Sequence, residues 1–549
     1  MTTGTRKYKW FAGTMVFTMA AGLMAGCSSD KPEVASSPSA AANTSATASP
    51  EANPFKNKLK FTMSVIDAEK AGLTASGQPA ENFKWLSEKF NVEFEFVPLT
   101  WANYLDQTRV WLNSDSAPDL IMLDVHQSRY GEFVEWVKAG LFKPYPELAK
   151  YPNLKKQYDA MTAGKKFNID GKMYAWPAVS DLSKYDYVYN GSGYFYRKDW
   201  AKDVGMVKED DIYTYDEWNN LVKAVREKDP GKNGAGKTIG MIFRDAWAFP
   251  KYVVGGISPY MDTVVKDKNG TWIWGATLPE TLEAVKEIKK QYDEGIIWKD
   301  QPLVKSGDAD NNFVAGKSFS IVASGVTMST TVGLFKNFKD ANPALDPQTS
   351  IGLAKVKAPN GKLVAWQGSD HWSQTAMNHK MSDEKAERWA AIMDFYTSDE
   401  GRLFAGYGIK DVDWKLDSAG KVEVLWKEKD ANGNPVYPYA YGSTSWLRPA
   451  GGRDAANLDN ISNPQWARDM IRRNLELYSG PESNVIKMNV EQAYYTSPVF
   501  TKAMTDTDIS KKIAELMTSK DIEKDWNNWV NQKLQEVQPG LDDLNKNLK

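Results

Sequence analysis

The chain has 549 residues, with 68 Lys and Arg against 70 Asp and Glu, for a net charge of −2. That balance excludes a global field that would recruit nucleic acid or anionic lipid. One cysteine and three histidines exclude disulfide staples and thiolate metal sites and leave little for a histidine metal centre. The 21 Trp and 25 Tyr stand out, because such an excess in a secreted chain suits stacking on flat apolar ligand faces such as sugar rings.

The amino terminus reads as a secretory signal. Arg6, Lys7 and Lys9 are followed by an uncharged run from Trp10 to Gly26 that ends in small residues. Ala25 and Gly26 precede Cys27, an arrangement that resembles a bacterial lipobox, in which the cysteine is lipidated and becomes the first mature residue. Met24 stands where that motif usually has Leu. The plainer alternative is an uncleaved anchor with an incidental cysteine. From Ser28 to Asn53 the chain is rich in Ser, Ala, Thr and Pro and carries no aromatic residue. Such a segment buries too little to offset chain entropy and is expected to be a disordered tether, drawn over residues 27–56 after a signal peptide of residues 1–26. The remaining chain of about 495 residues is too long for one core.

"LKFTMSVID" from Leu59 predicts a strand, and "ENFKWLSEKF" a helix with Phe83, Leu86 and Phe90 on one face, followed by the strand "VEFEFVPL". The pattern repeats with a helix over Tyr104–Leu112, a break at Pro118 and the buried strand "DLIMLD". An amphipathic helix in "RYGEFVEWVKAGLF" stops at Gly140, and "NIDGKMYAWPAVS" predicts a hairpin turned at Asp170-Gly171. Thr214 and Glu217 form a capping box ahead of the next helix. Leu282, Val285, Ile288 and Tyr292 mark another helix, and "NNFVAGKSFSIVASG" a helix end and strand. "SDEKAERWAAIMDFYTSDEG" and most of the last 50 residues are helical. Strands alternating with helices predict an α/β layered architecture.

The order of these elements and several motifs resemble the extracellular solute-binding lipoproteins of ABC importers, in their large carbohydrate-binding group. The carrying stretches are "SAPDLIMLD", "GEFVEWVKAGLFKPYPEL", "DGKMYAWPAVS", "YFYRKDWAKDVG", "TYDEWNNLVKAV", "FVAGKSFSIVASG" and "FYTSDEGRLFAGYGIKDVDW", which together span almost all of residues 57–540. The resemblance implies an α/β, two-lobed, type II periplasmic-binding-protein-like fold with lobes joined by hinge strands. The N-terminal lobe is expected over 57–178 and 316–374, and the C-terminal lobe over 179–315 and 375–549. It also implies a lipid-anchored monomer on the outer face of the cell membrane that captures an oligosaccharide and passes it to permease subunits, with no cofactor and no catalysis. Longer members carry an acidic, EF-hand-like loop. Here "DPGKNGAGK" keeps Asp229 and Asn233 but little other carboxylate, and "DANGNPVY" from Asp430 lacks a downstream acid, so no metal site is expected in either.

Candidate ligand residues follow from the chemistry of sugars, whose hydroxyls need planar polar partners and whose C–H faces need rings. Asp124 and His126 follow one strand and Trp101 another; a helix cap and a solvated ring are the plainer readings of the first two. Trp176 sits at the expected crossover, with core packing as its alternative. Trp247 in "RDAWAFP" has no periodicity to explain it. "AWQGSDHWSQ" gathers Trp366, Asp370, His371 and Trp372, and its alternative is an interface loop with satisfied polar groups. Trp446, Arg448 and Arg453 in "STSWLRPAGGRD" suit a uronic-acid-containing sugar or else a salt bridge. By contrast, Arg197 reads as an acid's partner, and Trp272 and Trp274 as sheet packing. A surface carbohydrase (glycoside hydrolase or polysaccharide lyase) and a binder of peptide or another small solute are the competing classes. No Gly-x-Ser-x-Gly elbow, His-Glu-x-x-His or P-loop is present.

Overall fold

A computed structural model describes residues 53–549 except 67, 75, 101–102, 126–128, 180–192, 245–255, 306, 324–325, 368, 430–434, 440–457, 459–462, 505–506, 508 and 549, with the backbone alone for 70, 179 and 372. Residues 53–549 group as one unit by their internal contacts, and within it the strands form two main sheets.

The first sheet begins with the alternating stretches. Leu59–Ile66 pairs in parallel with Val92–Leu99 and with Leu120–Leu123. His371–Asn378 then adds antiparallel to Leu120–Leu123 and also pairs with Phe142–Lys143 and Ala175–Val179. The crossovers between the parallel strands are helical, Glu81–Lys89 and Tyr104–Asn113, as a parallel arrangement requires. Phe61, Met63, Leu120, Ile121, Phe133 and Trp176 are buried in its core, where Trp389 of the helix Asp383–Thr397 joins them.

The second sheet runs in the order Ile239–Phe243, Ser318–Ala323, Gly193–Arg197, Ile351–Val356, Ile212–Tyr213. Its strand Gly193–Arg197 is buried throughout, and period-two alternation divides its side chains between two cores. Tyr194 and Tyr196 pack with Trp218, Phe319 and Trp526, whereas Phe195 packs with Ile321, Phe335 and Leu353. The expected capping box is present at Thr214 and Glu217. The long carboxy-terminal helix Ile522–Asn547 lies on the Tyr196 side.

The local expectations hold at several turns. Asp170 and Gly171 both have positive φ, 51° and 80°, and join Asn168–Ile169 to Lys172–Met173. The stretch after this hairpin is a separate strand, Ala175–Val179, that belongs to the first sheet. Arg197 bonds Asp199 at 2.9 Å, and Trp272 and Trp274 are buried in the hairpin Val264–Lys266/Trp272–Trp274.

Sheet membership departs from the expected lobe boundaries. Ser318–Ala323 and Ile351–Val356, read with the first lobe, hydrogen-bond into the second sheet, while His371–Asn378 returns to the first. The helix Asp383–Thr397, read with the second lobe, contributes Trp389, Ile392 and Met393 to the first core. The physical reason is long-range pairing: a strand's periodicity fixes its buried faces but not its neighbour. The chain leaves the first sheet after Val179 and re-enters it at His371, and it crosses again later, with Ile471 in a core of the second sheet, Tyr494 in that of the first and Ile509 in that of the second.

Candidate functional site

In open α/β sheets, ligands meet the carboxyl ends of parallel strands, where backbone and loop groups converge. At that end of Leu120–Leu123, Asp124 Oδ2 accepts from the Tyr104 hydroxyl at 2.8 Å and from Arg129 Nη1 at 2.9 Å. Arg129 Nη1 also donates to the Tyr104 oxygen at 2.6 Å and to the Asp124 carbonyl at 3.0 Å. Burial, then the Asp124 carboxylate, pushes the Tyr104 hydroxyl above its usual pKa, so it stays a donor at neutral pH. The Arg129 side chain keeps 39% of its surface exposed and Asp124 17%. Asp124 is among the expected ligand residues, whereas Arg129 is not. Its signal was an arginine five residues on, where the next helix, Tyr130–Lys138, begins.

The second sheet carries a comparable pair. Arg244 follows the strand Ile239–Phe243, and its Nε donates to Asp310 Oδ2 at 2.9 Å in a two-pronged pair. Both side chains are partly exposed. Arg244 begins the "RDAWAFP" stretch that also holds Trp247.

The 363–378 segment carries the densest cluster. Asp370 and His371 are buried at the start of the strand His371–Asn378. Asp370 Oδ2 accepts from the Thr162 backbone N–H at 2.6 Å and its hydroxyl at 3.0 Å, and Oδ1 accepts from the Gly164 N–H at 3.0 Å. His371 Nδ1 lies 2.8 Å from Asp370 Oδ1 and 2.9 Å from Ser369 Oγ, and Nε2 lies 3.1 Å from the Tyr494 hydroxyl. Burial pushes the Asp370 carboxyl up, but His371 and the Thr162 donors outweigh it and hold the group below its ordinary range. Ser369 and Asp370 share one ring nitrogen of His371, and the Tyr494 hydroxyl takes the other. The cluster therefore pins the crossover strand to the 162–164 turn and to Tyr494. Its donors and acceptors are spent within the protein, so Asp370 and His371 do not meet the expectation of groups presented to a ligand.

Two tryptophans also depart from expectation. Trp176 has no exposed surface, and its indole N–H donates to Gln157 Oε1 at 2.8 Å beside Tyr145. It packs in the core, because the strand that carries it pairs with His371–Asn378 and turns this side chain toward the first sheet's core. Trp366 is 8% exposed on Leu363–Trp366, which pairs with Ser483–Ile486, and its indole donates to the Pro259 carbonyl at 3.1 Å. The backbone of Trp372 lies in His371–Asn378, and its side chain lies outside the described residues. Trp101, His126, Trp247, Trp446, Arg448, Arg453 and Cys27 also lie outside them.

The loop after the helix Tyr215–Lys228 was the expected remnant of a cation site. Asp229 accepts from the Asn233 N–H at 3.1 Å, the Gly234 N–H at 2.7 Å and the Thr238 hydroxyl. These donors, the Thr238 hydroxyl first, hold its carboxyl below the ordinary range. The loop is thus closed by its own N–H and O–H groups, on oxygens that a cation would otherwise need. Among the described residues no group of three His, Cys, Asp or Glu is placed to hold a metal, and no helix is long and apolar enough to cross a membrane.

No family model matches the chain. It is 26% identical over 334 residues to Lipoprotein LipO of Bacillus subtilis, 58% of this chain and 62% of that one. It is 24% identical over 333 residues to the polygalacturonan/rhamnogalacturonan-binding protein YtcQ of the same organism, 60% of this chain and 62% of that one. The match thus spans about three fifths of the length of these curated relatives. In structure, the FusA substrate-binding protein of a Streptococcus pneumoniae ABC transporter, solved with kestose, aligns with a TM-score of 0.62 at 16% identity, covering 89% of this chain and 99% of that one. The chain has the two-lobed, type II fold of ABC-transporter solute-binding proteins, and its sequence is similar to that of a bacillary lipoprotein and a polygalacturonan-binding protein.

Proposed function

We propose that the protein is the lipid-anchored solute-binding component of an ABC importer, and that it captures an oligosaccharide containing uronic acid between its lobes. The observation that carries this reading is the partly exposed arginine–carboxylate pair at the carboxyl end of a strand in each sheet, Arg129 with Asp124 and Arg244 with Asp310. A guanidinium presents five N–H donors in a planar fork that matches a carboxylate or a pair of hydroxyls. An adjacent acid holds the fork in place and accepts from sugar hydroxyls. The similarity to a protein named for polygalacturonan and rhamnogalacturonan supports an acidic glycan. The passages of chain between the sheets suit a hinge, with ligand contacts from both lobes favouring the closed form. The closed complex would be handed to separate permease subunits, and the chain would act as a monomer.

Binding without catalysis is the second part of the proposal. It is supported by the His371 cluster, whose bonds are internal, and by relatives that are named as binding proteins. On the outer membrane face, Cys27 would carry the lipid and residues 28–52 would serve as the tether, since Asn53 bonds the Glu88 carbonyl and Phe55 packs beside Phe90.

The experiment is intrinsic tryptophan fluorescence during titration with oligogalacturonides, neutral oligosaccharides and peptides, with product analysis of the same samples. A saturable change with oligogalacturonides and no product is the expected result. Ligand consumption would favour the carbohydrase, and a response to peptides alone would overturn the glycan reading.

A further inference from the structure

Helices Ile509–Leu516 and Ile522–Asn547 pack together with their apolar residues on one side, and Ile513, Trp526 and Val530 are buried in a core of the second sheet. Their other facing positions do not close on each other. They leave a groove of about 380 Å³, lined by Lys512 and Glu515 on one side and by Asp525, Asn528, Trp529 and Gln532 on the other. The last four recur at i, i+3, i+4 and i+7, the spacing that usually carries an apolar seam between helices. Here it carries a carboxylate, two amides and one indole.

The indole is held rigidly. Trp529 is half-buried, with ring centroids 5.4 Å from Trp274 and 5.2 Å from Trp526. Asp525 is likewise fixed, since the Ser519 hydroxyl donates to it at 2.7 Å. A flat ring fixed beside planar amide and carboxylate groups matches a pyranose, which offers a C–H face and paired hydroxyls. The lining charges are one lysine against two acids, which disfavours a uronate. A partner helix is poorly matched too, because Leu516 is the one aliphatic side chain in the lining. None of these residues belongs to the segments that pass between the sheets.

We infer that this groove is a second saccharide contact, which takes a neutral pyranose unit on Trp529 with its hydroxyls on Asn528, Gln532 and Asp525. It is separate from the cleft proposed above and does not depend on it. Such a contact would hold a long glycan against the protein by a neutral stretch while an acidic stretch enters the cleft.

Hydrogen–deuterium exchange of the full-length chain with cellotriose tests it. Amides in 509–519 and 522–532 are expected to gain protection. Half-saturation is expected about fivefold weaker in Asn528→Ala/Gln532→Ala, whose side chains are exposed, and in Trp529→Leu, while Trp529→Phe keeps most of the effect. The inference is overturned if neither cellotriose nor maltotriose protects these helices, if the double variant leaves the protection unchanged, or if trigalacturonate protects them equally well. Protection elsewhere with trigalacturonate reports on the cleft reading separately.

Discussion

The hydroxyl of Tyr494 lies 3.1 Å from Nε2 of His371, across 123 positions of sequence. Asp370 completes the same junction by capping the 162–164 turn. Three distant pieces of chain are thus fastened at the point where one crossover enters the first sheet. Asp370→Asn removes a charge that several donors share in a buried site. It is expected to destabilise the fold by roughly 2–4 kcal/mol, read by denaturant unfolding. Because the folded carboxyl titrates below its ordinary value of 3.8, its contribution is present above that pH and is lost as pH falls through the folded value. The acid limb of the stability curve should therefore flatten in the variant.

Lys355 gives the opposite kind of pH dependence. It is buried on the strand Ile351–Val356, and its ammonium has a weak 3.4 Å bond to the Leu353 carbonyl. Burial is the main cause that pushes it down from 10.5 to about 7, helped by Arg473 and opposed by Asp211. An unfolded lysine keeps its proton to about pH 10.5 while the folded one releases it near 7, so stability should rise with pH across that window. Lys355→Met is expected to stabilise the protein at pH 7 by roughly 2–4 kcal/mol and to remove the slope, both read from melting curves at several pH values.

At the Asp229 loop, protein donors already occupy the carboxylate. Asp229→Ala should lower the melting temperature, and calcium should not restore it. Stabilisation of the parent protein by calcium, absent in the variant, would show that the loop takes the ion.

Much of this fold was legible because local rules decide local structure. The positive φ at Asp170 and Gly171 and the cap at Thr214 follow from residue chemistry over three or four positions. What was not legible depends on partners far along the chain. Ser318–Ala323 has the same alternation whichever sheet receives it, and Asp370 accepts from a turn more than 200 positions away. Trp176 illustrates the same limit at the site, since a tryptophan at a crossover reads alike whether its ring lines a cleft or fills a core. Arg129 was missed because its partner Asp124 gives it meaning, and that pairing appears once the strand and helix are placed.

Cys27→Ala should leave the precursor unprocessed or release it into the medium, read by membrane fractionation, while affinity for oligosaccharide stays unchanged. A variant that remains lipid-modified and anchored would contradict the assignment of Cys27.

At the cleft, Arg129→Ala and Arg244→Ala are each expected to weaken oligogalacturonide binding about tenfold or more, as loss of a charge-assisted contact does, with smaller effects on neutral sugars. Calorimetric titration reads the difference. Equal losses for acidic and neutral ligands would remove the role of these arginines in choosing an acidic glycan.

Capture of an intact acidic oligosaccharide is tested most directly by native mass spectrometry of the protein mixed with oligogalacturonides of defined length. The expected result is a one-to-one complex whose mass equals protein plus uncut ligand, reduced in the Arg129→Ala variant. Absence of any complex across the length series, or bound ligand shortened relative to what was added, would contradict it.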